Sequence, residues 1–333
     1  MYLFVAIWFL LCYNFIKDDK IVNLIIAILP FFFMIALRGE SVGTDTSNYL
    51  LTFSLMGVSD SLTEMLKNTE FEKGYFVLCY ILKNAGFDSQ SILIAESLIL
   101  CTSIIFFCIH NANDRMFVLL TAALTLSEFA LSGVRQTIAI SIFLAAYKFA
   151  RERRWYLYIL LALLAASFHT SALMVFPFAV LINRKFSRVV IYIYIILLML
   201  AISLMDVIFS LVTQTLDYEQ YQLMSFDGGI ISFLVSGLFS LVVIYYYKKE
   251  QLNYKFQASA HYTILYSIFS GVRFVNIMIM RVLLYFSPFP FLMIDSLSKN
   301  KNGNTLKIIS LCYVIGYYVY RVTALDDYSF YFD

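Results

Sequence analysis

Apolar stretches long enough to cross a bilayer follow one another along the whole chain, and short polar segments separate them. This pattern predicts an all-α fold, a polytopic transmembrane bundle of about twelve helices, and no separate soluble domain. We expect a single integral membrane domain over residues 1–333. The candidate spans are 2–16, 21–37, 91–109, 116–131, 136–150, 155–168, 170–183, 189–212, 230–247, 259–280, 281–298 and 305–321.

The first stretch, residues 1–15, has neither the basic start nor the small-residue cleavage site of a signal peptide. We therefore expect it to remain in the protein as the first span.

Two longer polar segments, 38–90 and 213–229, are predicted to be loops on one side of the membrane. Within the first, residues 72–86 contain an apolar core of about nine residues, which corresponds to roughly 14 Å of helix. Such a helix is too short to span a bilayer, so we expect it to lie along the membrane interface.

Composition supports a membrane protein, because 61% of the residues are hydrophobic and only 14% are charged. The mean hydropathy is +0.80. The formal net charge of +2 gives no indication of a nucleic-acid partner, and none is expected. Its distribution is more informative, because basic residues cluster between spans and such clusters favour the cytoplasmic side. The clusters are Arg151, Arg153 and Arg154; Arg184, Lys185 and Arg188; Lys248, Lys249 and Lys255; and Lys299, Lys301 and Lys307.

The segment 155–183 is predicted to be a hairpin, because one long span would put the basic cluster after it on the wrong side. Each arm has about fourteen residues, or near 21 Å of helix, which is less than a hydrocarbon core of roughly 30 Å. His169 at the apex should therefore lie below the outer surface, in a pocket.

On this topology the unusual polar residues all fall on the outer side. Charged groups near a bilayer persist when they are paired, hydrated or turned into a cavity, so their convergence indicates a functional site. A structural network of ion pairs would give the same pattern. The residues are Arg38, Asp45, Glu72, Arg135, Gln136, His169 and Arg281.

Arg135 and Gln136 stand at the outer end of a predicted span, after Ser132 and Gly133. The guanidinium presents a planar set of donors suited to phosphate oxygens. The free backbone N–H groups at a helix start also favour an anion. A phosphate site is one interpretation, and an arginine that extends to the interface is the other.

Three residues are candidates for proton transfer, and each has a plainer interpretation. His169 fits a general base or a packed histidine. Asp45 fits a base or an Asx-turn residue, and Glu72 fits a base or a helix cap. Arg281 interrupts an apolar run, so it faces either solvent at a turn or a cavity.

The remaining residues give no sign of a cofactor or a metal. The five cysteines show no metal-ligand spacing and are expected to pack in the apolar interior. The sequence also lacks the motifs of P-loop proteins, dinucleotide-binding folds, zinc proteases and EF-hands. We therefore predict no cofactor and no metal site.

In its ordered polar motifs, the chain resembles the EpsG group of Wzy-type bacterial polysaccharide polymerases. The resemblance spans residues 38–286 and implies a fold like that of the polytopic GT-C glycosyltransferases. The motifs are Arg38-x4-Gly43-Thr44-Asp45-x3-Tyr49, Glu72-x-Gly74-Tyr75, Arg135-Gln136 with Ala139, Phe168-His169-x-Ser171-Ala172 and Arg281-x3-Tyr285-Phe286.

The resemblance implies an enzyme of the bacterial cytoplasmic membrane whose active site faces outward. It would join oligosaccharide repeat units carried on undecaprenyl diphosphate and release that carrier. Arg38, Arg135, Gln136 and Arg281 would then bind the diphosphate, while Asp45, Glu72 or His169 accepts a proton. The implied partners are the lipid-linked substrate, membrane lipid, and chain-length regulator and flippase proteins. A glycan ligase that uses the same donor and a transporter of lipid-linked oligosaccharide are the alternatives.

Overall fold

A computed structural model describes residues 1–17, 20–56, 72–203, 229–272, 279–298, 300, 302–322, 325 and 327–332. Over these residues the chain is helical, and the extended pairing described is one bridge between Arg38 and Phe330. The all-α class is therefore confirmed. The predicted loop 213–229 lies outside the described residues except for Gly229, where a helix begins.

The helices follow one another with short connections. They are α1 Tyr2–Phe15, α2 Ile21–Ala36, α3 Thr46–Leu55, α4 Lys73–Asn84, α5 Ser91–Asn111, α6 Arg115–Ala130, α7 Val134–Arg151, α8 Trp155–Phe168, α9 Ala172–Val175, a 3-10 turn Phe176–Phe178, α10 Ala179–Ile182, α11 Arg188–Ser203, α12 Gly229–Tyr246, α13 Tyr254–Val272, α14 Ile279–Phe286, α15 Phe289–Ser296 and α16 Gly303–Val322.

Most predicted spans match a helix to within two residues at each end, and the predicted hairpin turns at His169 between α8 and α9. Two predicted spans are interrupted in the structure. The predicted span 281–298 is divided at Ser287 and Pro288, because proline lacks the N–H that a continuous helix needs. The arm 170–183 is divided by the 3-10 turn at Phe176–Phe178, which contains Pro177.

By length and apolar composition, one described helix qualifies to cross a membrane, the 21-residue α5. Shorter apolar helices of 10–17 residues include α1, α2 and α8. Large apolar side chains on α1 and α8, such as Phe4 and Leu160, are more than half exposed. Contiguous exposed apolar surface of this kind marks a membrane-facing side. The protein is therefore a helical membrane protein, while the count of twelve spans and the GT-C likeness remain predictions.

The loops that carry the basic clusters meet at one end of the bundle, which we call the basic end. Three of them are bonded to the end of α5 and the loop between α5 and α6, through Arg151 to His110 O, Lys255 to Asn113 and Lys307 to Asp114. The fourth is joined to the end of α7, where Asn183 donates to Ala150 O. Helix α7 runs from this end to Arg135, a length of about 27 Å for 18 residues. Arg135 and the basic clusters thus lie at opposite ends, as the predicted topology requires.

Aromatic packing fixes α7 against the helices of the second half of the chain. The Phe143 ring lies within 6.2 Å, between centroids, of rings on the 3-10 turn and on α13, α14 and α15. Phe143 itself is 1% exposed. This apolar core holds the start of α7 and the start of α14 at the same end of the bundle.

Candidate functional site

Arg135 is the second residue of α7, and its guanidinium is held from two sides. Its Nη1 forms an ion pair with the Glu72 carboxylate, and its Nε donates to the Tyr49 hydroxyl at 3.4 Å. The guanidinium carbon also lies 5.8 Å from the centre of the Tyr49 ring, within cation–π range. The Arg135 side chain keeps 20% of its surface exposed, so the fixed cation remains accessible.

Glu72 joins three separate segments of the chain. Its Oε2 pairs with Arg135, while its Oε1 accepts the backbone N–H of Thr170 at 3.2 Å and lies 3.3 Å from His169 Nδ1. Glu72 also occupies the N-cap position of α4, but its side chain makes no capping hydrogen bond. The carboxylate is therefore directed into the cluster that we call the Glu72 cluster, formed by Glu72, Arg135 and His169.

His169 ends α8 at the apex of the hairpin and is 9% exposed. Burial, with the positive charges of Arg281 and Arg135 adding to it, lowers the pKa of His169 to about 4, although Glu72 acts in the opposite direction. The imidazole is consequently neutral near pH 7. Its Nδ1 is within reach of both the Ser171 N–H, at 3.3 Å, and the Glu72 carboxylate, so the tautomer decides which contact is a hydrogen bond.

Gln136 and Arg281 connect α7 to α14. The Gln136 amide donates to the Arg281 carbonyl at 2.5 Å, and Gln136 is 2% exposed. Arg281 is partly exposed, and its positive charge is one of the causes that lower the pKa of His169. Tyr285, one turn further along α14, shares a hydrogen bond of 3.0 Å with Ser171.

Two glycines of the predicted motifs allow the close approaches that assemble the site. Gly43 has φ +88°, and a side chain there would collide with the backbone at Leu131. A Cβ on Gly74 would lie 2.6 Å from the backbone oxygen of Ser167 on α8. Gly74 thus permits α4 to pack on the end of α8, which brings Glu72 beside His169.

Arg38 does not join the Glu72 cluster. It is fully buried, and its guanidinium donates to Ile35 O, Thr46 Oγ1 and Glu96 Oε2, the last at 3.1 Å in an ion pair whose two side chains are both inaccessible. The family resemblance implied that Arg38 binds the diphosphate together with Arg135 and Arg281. In the structure Arg38 instead links the end of α2 to the first residue of α3 and to α5.

Asp45 is exposed at the N-cap of α3, and its side chain makes no capping hydrogen bond. Its negative charge acts on Tyr49, one turn further along this helix. Asp45 therefore lies near the Arg135 side of the site without an ion pair among the described residues.

A model of the EpsG family matches residues 21–332, which is nearly the entire chain. The chain belongs to the EpsG family. No curated protein and no solved structure matches it. As an EpsG-family member the protein has a polysaccharide-polymerase type of role, of the glycosyltransferase class, with a lipid-linked oligosaccharide as the substrate that the family suggests.

Sequence reasoning assigned no role to two partners of the predicted arginines of this EpsG-family protein: Glu96, which pairs with the buried Arg38, and Tyr49, which contacts Arg135. Glu96 is the one acidic residue in the long apolar segment that forms α5, and that isolation was a usable signal. Tyr49 stood in a motif with no role assigned, and nothing in the sequence indicates that its ring would lie against Arg135. Contacts between residues 86 positions apart depend on the tertiary fold.

Proposed function

We propose that this EpsG-family protein joins oligosaccharide repeat units carried on undecaprenyl diphosphate into a polysaccharide and releases the carrier. The reaction would take place on the outer face of the bacterial cytoplasmic membrane. The observation that carries the proposal is the Glu72 cluster, in which one carboxylate holds an accessible arginine and a neutral histidine at the end opposite the basic loops.

The chemistry requires a cationic site for the leaving group. An acceptor hydroxyl attacks the anomeric carbon of the donor sugar, the bond between that carbon and the diphosphate oxygen breaks, and the bonding electrons leave with the diphosphate. Negative charge therefore grows on phosphate oxygens, and fixed cations stabilise that charge most when little water surrounds them. Arg135, fixed by Glu72 and Tyr49, and Arg281 beside it are the residues we assign to this role.

The proton of the acceptor hydroxyl needs a base, and His169 is our assignment. With a hydrogen on Nδ1 donated to Glu72, the Nε2 lone pair is free to accept that proton, and the carboxylate stabilises the imidazolium that forms. Bound diphosphate would offset the charges of Arg135 and Arg281, so the pKa of His169 should rise when substrate binds. Asp45, exposed at the start of α3, is a second candidate for this base.

We expect the imidazole of His169 in the free protein to titrate well below an ordinary histidine, with a pKa of about 4. Replacing Arg281 with glutamine removes one of the charges that disfavour the imidazolium, so the pKa should move upward. NMR of the protein with labelled histidine, reconstituted in lipid, measures both values. His169→Gln identifies the signal, and an unchanged midpoint in Arg281→Gln would contradict the placement of Arg281 beside His169.

The direct test of the function is an elongation assay. Purified protein in lipid vesicles is incubated with undecaprenyl-diphosphate-linked repeat units, and the products are separated by size. We expect a ladder of longer glycans and one released undecaprenyl diphosphate for each new glycosidic bond. Unchanged monomer, in the presence of its partner proteins, would refute the proposal.

The same assay separates the alternatives. A ligase would transfer a single glycan to a different acceptor, so carrier would be released without a ladder, and only when that acceptor is added. A transporter would move lipid-linked oligosaccharide across the vesicle membrane with no new bond and no released carrier.

A further inference from the structure

A groove with a volume of about 520 Å³ opens beside α3, on the side of that helix away from Arg135. Four residues of α3 line it, and their spacing of i, i+3, i+4 and i+7 defines one helix face. The opposite face carries the buried residues Tyr49 and Phe53. One helix, about 10–12 Å across with its side chains, thus separates the groove from the Arg135 site. The lining residues on α3 are Ser47, Leu50, Leu51 and Ser54.

The second wall of the groove is the end of the chain, which pairs with the loop after α2. Gly39 N–H donates to Ser329 O and Tyr331 N–H donates to Leu37 O, each at 2.9 Å. The Ser41 and Ser329 hydroxyls share a hydrogen bond of 2.8 Å. The Tyr331 hydroxyl donates to Asp88, so this wall is fixed at several points.

Gln90 also lines the groove, and one of its polar atoms makes no hydrogen bond among the described residues. Its amide nitrogen donates to Ala36 O at 2.8 Å and to Arg38 O at 3.1 Å. Its Oε1 is buried and has no hydrogen-bond partner among the described residues, while Gln90 as a whole is 3% exposed. A buried acceptor left unpaired is costly, and this one belongs to a residue of the groove lining.

The lining has the chemistry of a carbohydrate site and lacks that of a phosphate site. Glu40 provides a carboxylate, and the lining contains no lysine or arginine. The nearby ammonium of Lys83 donates to the carbonyls of Phe53 and Ser54, so the lining itself offers no cation to an anionic group. Serine hydroxyls donate and accept hydrogen bonds, as sugar hydroxyls do. Phe330 and Tyr331 offer aromatic faces beside them, on which the apolar face of a sugar ring can pack. The serines are Ser41, Ser47, Ser54, Ser89 and Ser329.

We infer that this groove binds a hydroxyl-rich, uncharged oligosaccharide, and that it holds the glycan of a substrate whose reacting end lies at Arg135. The identity of that glycan rests on the proposed function, whereas the binding itself does not. Charge separates the two binding sites. Arginines bind the diphosphate on one side of α3, and Glu40 with the serines binds sugars on the other side.

The test uses adjacent positions of α3. Ser54→Trp fills the groove, whereas Leu55→Trp places the same side chain at a position that is 75% exposed and outside the lining. Glu40→Gln removes the carboxylate with little change in shape. The probe is the free repeat-unit oligosaccharide released by mild acid from the lipid-linked pool of the producing cells. Its affinity for the full chain in nanodiscs is measured by calorimetry.

We expect Ser54→Trp and Glu40→Gln to weaken binding about tenfold or more, and Leu55→Trp to bind as the wild type does. In elongation, the groove variants should raise KM with a smaller effect on kcat. Equal affinity in all four proteins, or no binding by a wild type that elongates, would overturn the inference. Groove-dependent binding without elongation would support the inference and count against the proposed polymerase function alone.

Discussion

Arg135→Lys is expected to reduce elongation by roughly 10²–10³-fold, the loss seen when one preorganised donor to a developing anion is removed. Lysine keeps the charge but has no planar fork, so it cannot bond Glu72, Tyr49 and a phosphate oxygen together. The expected loss is mainly in kcat, because the charge that the guanidinium stabilises develops in the transition state. Initial rates with lipid-linked repeat units measure it.

Arg321→Lys is the matched control. Arg321 on α16 also forms an ion pair with a carboxylate, that of Glu128, and it is similarly exposed. The same substitution there removes a guanidinium outside the Glu72 cluster, so we expect near-normal elongation. Both variants should elute as the wild type does in size-exclusion chromatography. Normal polymer from Arg135→Lys would rule out the guanidinium as the diphosphate ligand.

The largest effect on stability is expected from Arg38→Met. The Arg38–Glu96 pair is completely buried, so removing the cation leaves a carboxylate without its counter-charge in an apolar bundle. Breaking such a pair costs roughly 3–5 kcal/mol. Thermal unfolding in detergent is measured by the loss of the monodisperse peak in size-exclusion chromatography. We expect a clearly lower midpoint temperature for Arg38→Met than for the wild type.

The double variant Arg38→Met with Glu96→Met separates the cost of the lone charge from the loss of packing. Because both charges are gone, we expect most of the stability to return. Arg321→Met at the partly exposed pair should change the midpoint little, since exposed pairs contribute about 0–1 kcal/mol. A single Arg38→Met variant as stable as the wild type would contradict the structural role of Arg38.

The helices could be predicted from the sequence because hydropathy reports burial in lipid directly. Helix α3 was not predicted, since Thr46, Ser47 and Asn48 are typical of a turn, and its helical state depends on burying Tyr49 and Phe53. The sequence predicted that the polar residues of the candidate site lie at one end of the bundle. It did not predict that Arg38 forms a buried ion pair apart from the cluster of Glu72, Arg135 and His169. Nothing in the sequence pairs Glu72 with Arg135, 63 positions away, or Arg38 with Glu96.

The short helical segments on either side of His169 should also affect the thickness of the surrounding membrane. Helix α8 has 14 residues, about 21 Å, and the arm after it is interrupted at Pro177. Segments this short would be shorter than the hydrocarbon thickness of an ordinary bilayer. The bilayer beside them would thin locally to match their length. Thinned membrane beside the imidazole would let a polyprenyl carrier keep its tail among the lipids while its headgroup slides sideways into the protein. The acyl-chain length of the surrounding lipids should therefore influence the rate of elongation.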